Sequence, residues 1–232
     1  DLNSGWSYLE SEREQLRIVG SSEVMQKLYK SVAKIVNSNY NVLINGLSGT
    51  GKSLLAEYIH NISSRKNMLF QEVKFGSLSS EEADALLSKI NFVKSENSNN
   101  IGTLFLDEIS SLGLESQKKI LSLCDQLDSF CGKDDNSLRP LLISSTSINL
   151  EEQISKKKFR EDLYYRLNEI SLNLPSLNNR LSDVGELVDY FLQEAGFSEK
   201  TFSLGAVKLL QKQEWRGNIR ELKNFVLRIV LL

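Results

Sequence analysis

Residues 44–55 read INGLSGTGKSLL, and the stretch from Gly46 to Ser53 follows the pattern G-x-x-x-x-G-K-S. Few short stretches restrict a chain so tightly. Glycines permit positive φ and let the main chain approach a ligand closely. Such a turn points successive N–H groups at one concave surface, and a helix starting there adds the positive end of its dipole. The pattern needs a buried strand before it and a helix after it. NVLI (Asn41–Ile44) is a short apolar run, and KSLLAEYIHNIS carries apolar residues at helical spacing. In that setting Gly46, Ser48, Gly49, Thr50, Gly51, Lys52, Ser53 and Leu54 are candidates for holding a nucleotide. Lys52 suits the β- and γ-phosphates, and the Ser53 hydroxyl suits Mg²⁺.

A second apolar run, GTLFLDE (Gly102–Glu108), ends in two carboxylates. Ligands of α/β sheets bind at the C-terminal tips of strands. Asp107 is therefore a candidate for holding Mg²⁺, and Glu108 for orienting or deprotonating a water. Phosphoryl transfer also gains from a cation supplied in trans. Arg160 and Arg166 flank the compact segment FREDLYYR, and Arg220 sits in GNIREL.

LFQEVKF (69–75), RPLLISST (139–146) and NEISLNL (168–174) predict further buried strands. Helices are expected after a cap at Ser21 or Ser22, over SSEEADALLSKI (79–90), over ESQKKILSLCDQLDSF (115–130) and over FREDLYYRL (159–167). KSENSNN (94–100) reads as a polar loop and GKDDNS (132–137) as a turn. Strands alternating with helices predict an α/β fold with a doubly wound parallel sheet. Past Pro175 come three helical patterns, DVGELVDYFLQEA, LGAVKLLQKQ and NIRELKNFVLRIVLL. The expected division is a linker at 1–17, an α/β subdomain at 18–175 and a helical lid at 176–232.

Composition narrows the partners. The 232 residues carry 28 Lys and Arg against 30 Asp and Glu, a net charge of −2, which argues against a broad nucleic-acid footprint on this segment. No apolar run approaches the roughly 20 residues that span a bilayer. The first residues lack the basic and apolar regions of a signal peptide. These features favour the cytoplasm and no membrane partner. Cys124 and Cys131 form no C-x-x-C pair and His60 is the single histidine, so two reduced thiols in or near the core are expected rather than a zinc site. His60 is expected to serve packing or lie at the surface.

IVGSSEVMQ, GLSGTGKSLLAEYIH, GTLFLDEIS, FREDLYYRLNEISLNLPSL and EWRGNIRELKN occur in one order from about Ile18 onward. Together they resemble the central ATPase domain of sigma-54-dependent bacterial enhancer-binding proteins, members of the AAA+ superfamily. The resemblance implies an AAA+ P-loop NTPase fold, a five-stranded sheet with a small C-terminal helical lid, using ATP and Mg²⁺. It implies that Ile18, Val19 and Gly20 line the adenine pocket and that Asp107 and Glu108 form the Walker B pair. Arg160 and Arg166 match arginine fingers that enter a neighbouring subunit's site, and Arg220 matches the sensor II arginine. Such domains form rings, typically hexamers, and act on RNA polymerase holoenzyme. The family usually adds an N-terminal receiver or sensory domain, as in two-component response regulators, and a C-terminal helix-turn-helix domain that binds DNA. The chain reads as the central domain without these.

Several positions depart from the family. Its Gly-Ala-Phe-Thr-Gly-Ala loop, which touches sigma-54, has no counterpart between Lys74 and Glu108. Lys74 stands where an asparagine usually holds the catalytic glutamate, and an ion pair between Lys74 and Glu108 is expected to weaken hydrolysis. Ser144-Ser145-Thr146-Ser147 replaces the sensor I pattern Ala-Ala-Thr-Asn, with Thr146 or Ser147 as the partial substitute. Ser53 replaces a usual glutamate, and Arg216 a usual proline. Three readings follow: an ATP-binding, weakly hydrolysing domain of a transcriptional regulator that is not a standard sigma-54 activator; a non-hydrolysing module that oligomerises with nucleotide or effector in a sigma-70-type regulator or repressor; and a remodelling ATPase unrelated to transcription. The first is preferred.

Overall fold

The computed structural model describes residues 18–90, 101–129 and 139–231. The expectations for the linker at 1–17, the loop at 94–100, the turn at 132–137 and Cys131 lie outside the described residues.

The strands are β1 (Val42–Asn45), β2 (Leu69–Lys74), β3 (Ile101–Asp107), β4 (Leu141–Thr146) and β5 (Ile170–Asn173). They form one five-stranded sheet in the order β2-β3-β4-β1-β5, with every pairing parallel. Parallel sheets are covered on both faces, which is why the central strands β3, β4 and β1 are almost wholly buried, while the edge strands β2 and β5 alternate with polar residues. Successive side chains go to opposite layers. Leu43, Leu104, Leu106 and Leu142 enter one core cluster, while Val42, Ile44, Phe105, Leu141 and Ile143 enter the other.

The covering helices are α1 (Glu23–Ile35), α2 (Lys52–Ile62), α3 (Ser80–Lys89), α4 (Leu114–Asp128), α5 (Leu150–Ser155) and α6 (Glu161–Leu167). Ser79 and Glu82 close a capping box at the start of α3. Ser22 occupies the N-cap of α1 but makes no capping bond. Its N–H and hydroxyl both go to the buried Asp183 carboxylate, at 2.8 and 2.7 Å. A charged acceptor binds these donors more strongly than a helix end would. The short α5 has no counterpart in the expected elements, although Asn149 caps it by accepting the Glu151 and Glu152 N–H groups.

The C-terminal part is a helical lid: α7 (Val184–Glu194), α8 (Leu204–Leu210) and α9 (Asn218–Leu231). Its own core gathers Leu177, Val188, Phe191, Trp215, Leu222 and Val226. Among the described residues no helix is long and apolar enough to cross a membrane.

His60 is buried on α2, its Nδ1 2.9 Å from the Thr103 hydroxyl and its ring against Phe70. Burial holds its pKa below the ordinary value. The folded state therefore binds the proton less readily than the unfolded chain, and the stability this imidazole contributes is lost as pH falls below about 6.5. Denaturant midpoints at pH 7.5 and 5.5 are expected to show a loss of stability on acidification that is smaller in His60→Phe; equal slopes in the two proteins would contradict this origin. Cys124 is likewise buried, its thiol pushed up to about 12 by desolvation, and is inert.

Candidate functional site

The strand order sets the C-terminal ends of β3, β4 and β1 side by side, and the register pairs Asn45 with Thr146 and Leu106 with Ser144. The turn leaving β1, the acidic end of β3 and the serine-rich end of β4 therefore meet. They border a cleft of about 980 Å³, closed on the far side by Ile219, Arg220 and Lys223 of the lid.

The glycine-rich turn makes its two left-handed steps at Gly49 (φ 78°) and Gly51 (φ 103°), the latter capping α2. Thr50 steadies the turn by donating to the Leu47 carbonyl at 2.7 Å. Lys52, only 6% exposed, is folded back into the turn. Its ammonium donates to the Gly46 carbonyl at 2.9 Å and pairs with Glu108 Oε1 at 2.8 Å.

Glu108 leaves β3 in a left-handed conformation, φ 59°. Its Oε2 accepts from the Ser147 N–H at 3.1 Å and the Ser147 hydroxyl at 2.8 Å. The expected Lys74–Glu108 ion pair is not formed. Lys74 lines the cleft, but its ammonium pairs with Glu72 at 3.0 Å. Glu72 is two residues back, on the same side of β2, and Glu108 is already held by an ammonium whose burial demands a counter-charge. Thr146 also turns away: its hydroxyl donates to the Ile148 carbonyl at 3.0 Å, so Ser147 is the residue at the expected sensor I position that reaches Glu108.

Ser145 is a site residue that the sequence reading missed. Its hydroxyl donates to Asp107 Oδ1 and accepts from the Glu108 N–H, joining the two carboxylate residues to β4. Period-two alternation was the available signal, because it places Ser145 and Ser147 on one side of the strand. Ser53 and Asp107 both line the cleft, and a hydroxyl with a carboxylate is a donor set suited to a hard divalent cation.

Ile18 and Val19 line a small apolar cavity of about 90 Å³ with Thr50, Gly51, Leu54 and residues of α7. Gly20 is not in that lining. Its φ is 141°, and a Cβ there would stand 2.8 Å from an Asp183 carboxylate oxygen, so the close packing against Asp183 leaves no room for a side chain. Buried Arg180 ties the same region together by donating to the Thr50 carbonyl at 3.1 Å.

The start of α9 sits directly on the glycine-rich turn. The Ile219 and Arg220 N–H groups point at the Gly49 carbonyl, at 3.0 and 3.3 Å. Asn218, itself left-handed at φ 54°, donates from Nδ2 to the Ser48 carbonyl at 2.9 Å and accepts from the Leu177 N–H at 2.9 Å. The Arg220 guanidinium reaches the Ser48 hydroxyl at 3.4 Å and borders the cleft. Lys223, unexpected from the sequence, also borders it, while pairing with Glu194 at 2.7 Å.

Arg160 and Arg166 are not brought to this cleft. Arg160 forks onto Asp162 at 3.0 and 2.6 Å, and Arg166 holds Asp125 at 3.0 Å and Asp128 at 2.6 Å.

Two family models match the chain: a sigma-54 interaction domain over residues 18–173 and an AAA+ ATPase lid domain over residues 178–232. The chain belongs to the sigma-54 interaction domain family of AAA+ proteins. Its relatives in this family include the DNA-binding transcriptional regulator NtrC of Rhizobium meliloti (strain 1021), 31% identical over 242 residues, covering 96% of this chain and 49% of that protein. The nitrogen assimilation regulatory protein NtrX of Azorhizobium caulinodans is 34% identical over 228 residues, covering 93% and 50%. The crystal structure of NtrX from Brucella abortus in complex with ATP shares the fold with a TM-score of 0.78 at 30% identity, over 92% of this chain and 50% of that one. AMPPCP-bound DnaA from Aquifex aeolicus has a TM-score of 0.65 at 15% identity over 93% of this chain and 64% of that one, a likeness of fold alone. The chain spans about half the length of the curated relatives of the sigma-54 interaction family that it matches.

The junction between turn and lid yields a ranking of stabilities. A Cβ at Gly49 would stand 2.4 Å from the Gly217 carbonyl oxygen, whereas one at Gly51 meets nothing within 4 Å. Both substitutions incur left-handed strain of about 1–2 kcal/mol, but only Gly49→Ala also displaces the lid. In nucleotide-free thermal unfolding, Gly49→Ala is expected to lower the Tm clearly more than Gly51→Ala. Equal losses would show that the lid does not rest on the turn.

Proposed function

We propose that this chain is the ATP-binding AAA+ domain of a bacterial transcriptional regulator and that it hydrolyses ATP weakly, as part of a cytoplasmic ring, of which a hexamer is the expected form. The observation that carries this reading is the Lys52–Glu108–Ser147 arrangement beneath the lid arginine. Relatives crystallised with ATP and with ADP support the choice of nucleotide.

Without nucleotide, Lys52 neutralises Glu108. A triphosphate in the glycine-rich turn offers Lys52 a more highly charged partner than one carboxylate. Glu108 Oε1 is then free, while Ser147 keeps hold of Oε2. The freed oxygen accepts a proton from a water whose oxygen attacks the γ-phosphorus, and the bond from that phosphorus to the bridging oxygen breaks, leaving ADP and phosphate. Gly46, Ser48, Gly49, Thr50, Gly51 and Leu54 would cradle the phosphates, with Ile18 and Val19 at the base. Ser53 and Asp107 would hold Mg²⁺, which when bound neutralises charge on the phosphates. Arg220 would report the nucleotide to the lid.

Arg160 and Arg166 lie away from their own chain's cleft, which suits fingers that act on a neighbouring copy. Weak turnover is supported by a serine at the sensor I position. Because no Gly-Ala-Phe-Thr-Gly-Ala segment occurs between Lys74 and Glu108, the regulator's contact with RNA polymerase holoenzyme is proposed to follow a route other than standard sigma-54 remodelling, with DNA bound through a separate helix-turn-helix domain.

The test is steady-state ATP hydrolysis against protein concentration. Specific activity is expected to rise cooperatively. Glu108→Gln, Arg160→Ala and Arg166→Ala should each lower kcat at least about 100-fold while ATP still binds. Binding without turnover in the unsubstituted chain would instead favour an assembly module in which Lys52 and Ser147 keep Glu108 out of use.

A further inference from the structure

Arg220 is shared between two recesses. One is the nucleotide cleft. The other is an opening of about 430 Å³ whose walls include Ser48, Arg216, Asn224, Phe225 and Arg228. Residues 220, 224 and 228 follow one another at intervals of four along α9, so their side chains share one face, and Arg216 reaches the same recess from the turn before the helix. Three are arginines and the fourth is a neutral amide that both donates and accepts.

The recess carries an excess of positive charge, three arginines against the Glu221 carboxylate in its lining and Glu214 beside it. Arg216 reaches Glu214 only at 3.4 Å, and both side chains are mostly exposed, so this pair contributes little. Glu221, the one carboxylate in the lining, keeps its charge while accepting the Gly217 N–H at 2.8 Å, and forms no ion pair with the arginines there. Among the described residues neither Arg220 nor Arg228 has a carboxylate partner. Like charges four residues apart on a helix repel each other. Planar guanidinium forks pair bidentately with phosphate oxygens, and several gathered on one side of a recess suit an anion that carries more than one phosphate.

We propose that this recess binds a small anion with a chain of two or more phosphates, held by Arg216, Arg220 and Arg228, and that the anion competes with the nucleotide in the cleft for Arg220. Occupation of the recess would draw the Arg220 guanidinium out of the cleft and lower the affinity for ATP, which makes the recess a regulatory site. The anion is either an inorganic polyphosphate or the phosphate tail of a second nucleotide, whose ring would rest on the half-exposed face of Phe225. The regulatory half of the proposal rests on the reading of Arg220 as a nucleotide contact; the anion site itself does not.

Isothermal titration of inorganic tripolyphosphate into the Lys52→Ala chain, at constant ionic strength, isolates the recess, because the glycine-rich turn has then lost its phosphate-gripping ammonium. One site is expected, weakened at least about tenfold when Arg216→Gln and Arg228→Gln are added. Both of those side chains are on the surface, and a thermal melt checks that the fold is kept. Absence of binding, or equal binding in the two proteins, overturns the proposal. Cytidine diphosphate is the second probe: tighter binding than tripolyphosphate identifies a nucleotide, and weaker or equal binding identifies the bare phosphate chain. In the unsubstituted chain, tripolyphosphate should raise the apparent Kd for a fluorescent ATP analogue more than it does in Arg216→Gln/Arg228→Gln. Identical curves overturn the coupling, and failure of the analogue to bind at all would sink the ATP reading while leaving the titration to decide the recess.

Discussion

A lysine ammonium that is only 6% exposed must find a counter-charge and acceptors close by, because an unpaired buried charge is strongly destabilising. Lys52 finds them in the Gly46 carbonyl and Glu108. Those two contacts require the turn after β1 to curl over its own helix and the end of β3 to lie beside it. They also require Glu108 to leave its strand in a left-handed conformation, since that bends the carboxylate back toward the ammonium. The parallel sheet makes this possible by bringing the strand tips together, with both apolar faces covered. Charge compensation at one side chain and burial across the whole sheet thus select the same arrangement.

The lid is held to this arrangement through backbone hydrogen bonds as well as through apolar contact at Val19. Gly49 and Asn218 are both left-handed, and each exposes a polar group that the other segment satisfies. Their fit is close enough to leave no room for a methyl group at Gly49. A second attachment joins Ser22 to Asp183. Rigid attachments at two places, with a separate apolar core between them, suit a lid that moves as one body.

The fold was legible because its signals are periodic or nearly obligatory. Apolar runs followed by helical spacing specified a parallel sheet, and Gly46–Ser53 specified where the strand ended and the helix began. The carboxylates at 107 and 108 were legible for the same reason. Side-chain choice between competing partners was not. Lys74 and Glu108 are close in the fold, but Glu72 and Lys52 are better placed partners for each. Ser145 escaped notice because a serine's role depends on which strand tip it faces. Ser22 read as a helix cap, and only the fold brings a buried carboxylate from more than a hundred residues away to claim it. The α5 helix is short, and short helices depend on tertiary contact more than on their own propensity.

The Ser22–Asp183 latch has a mechanical consequence. The chain just before α1 is fastened to the lid, and the lid is fastened through Asn218 and Ile219 to the turn that holds Lys52. A displacement ahead of Ser22 therefore has a route to the glycine-rich turn through the lid, beside the one that Ile18 and α1 offer through the sheet core. The domain is strung like a lever whose far end lies over the cleft beside Lys52.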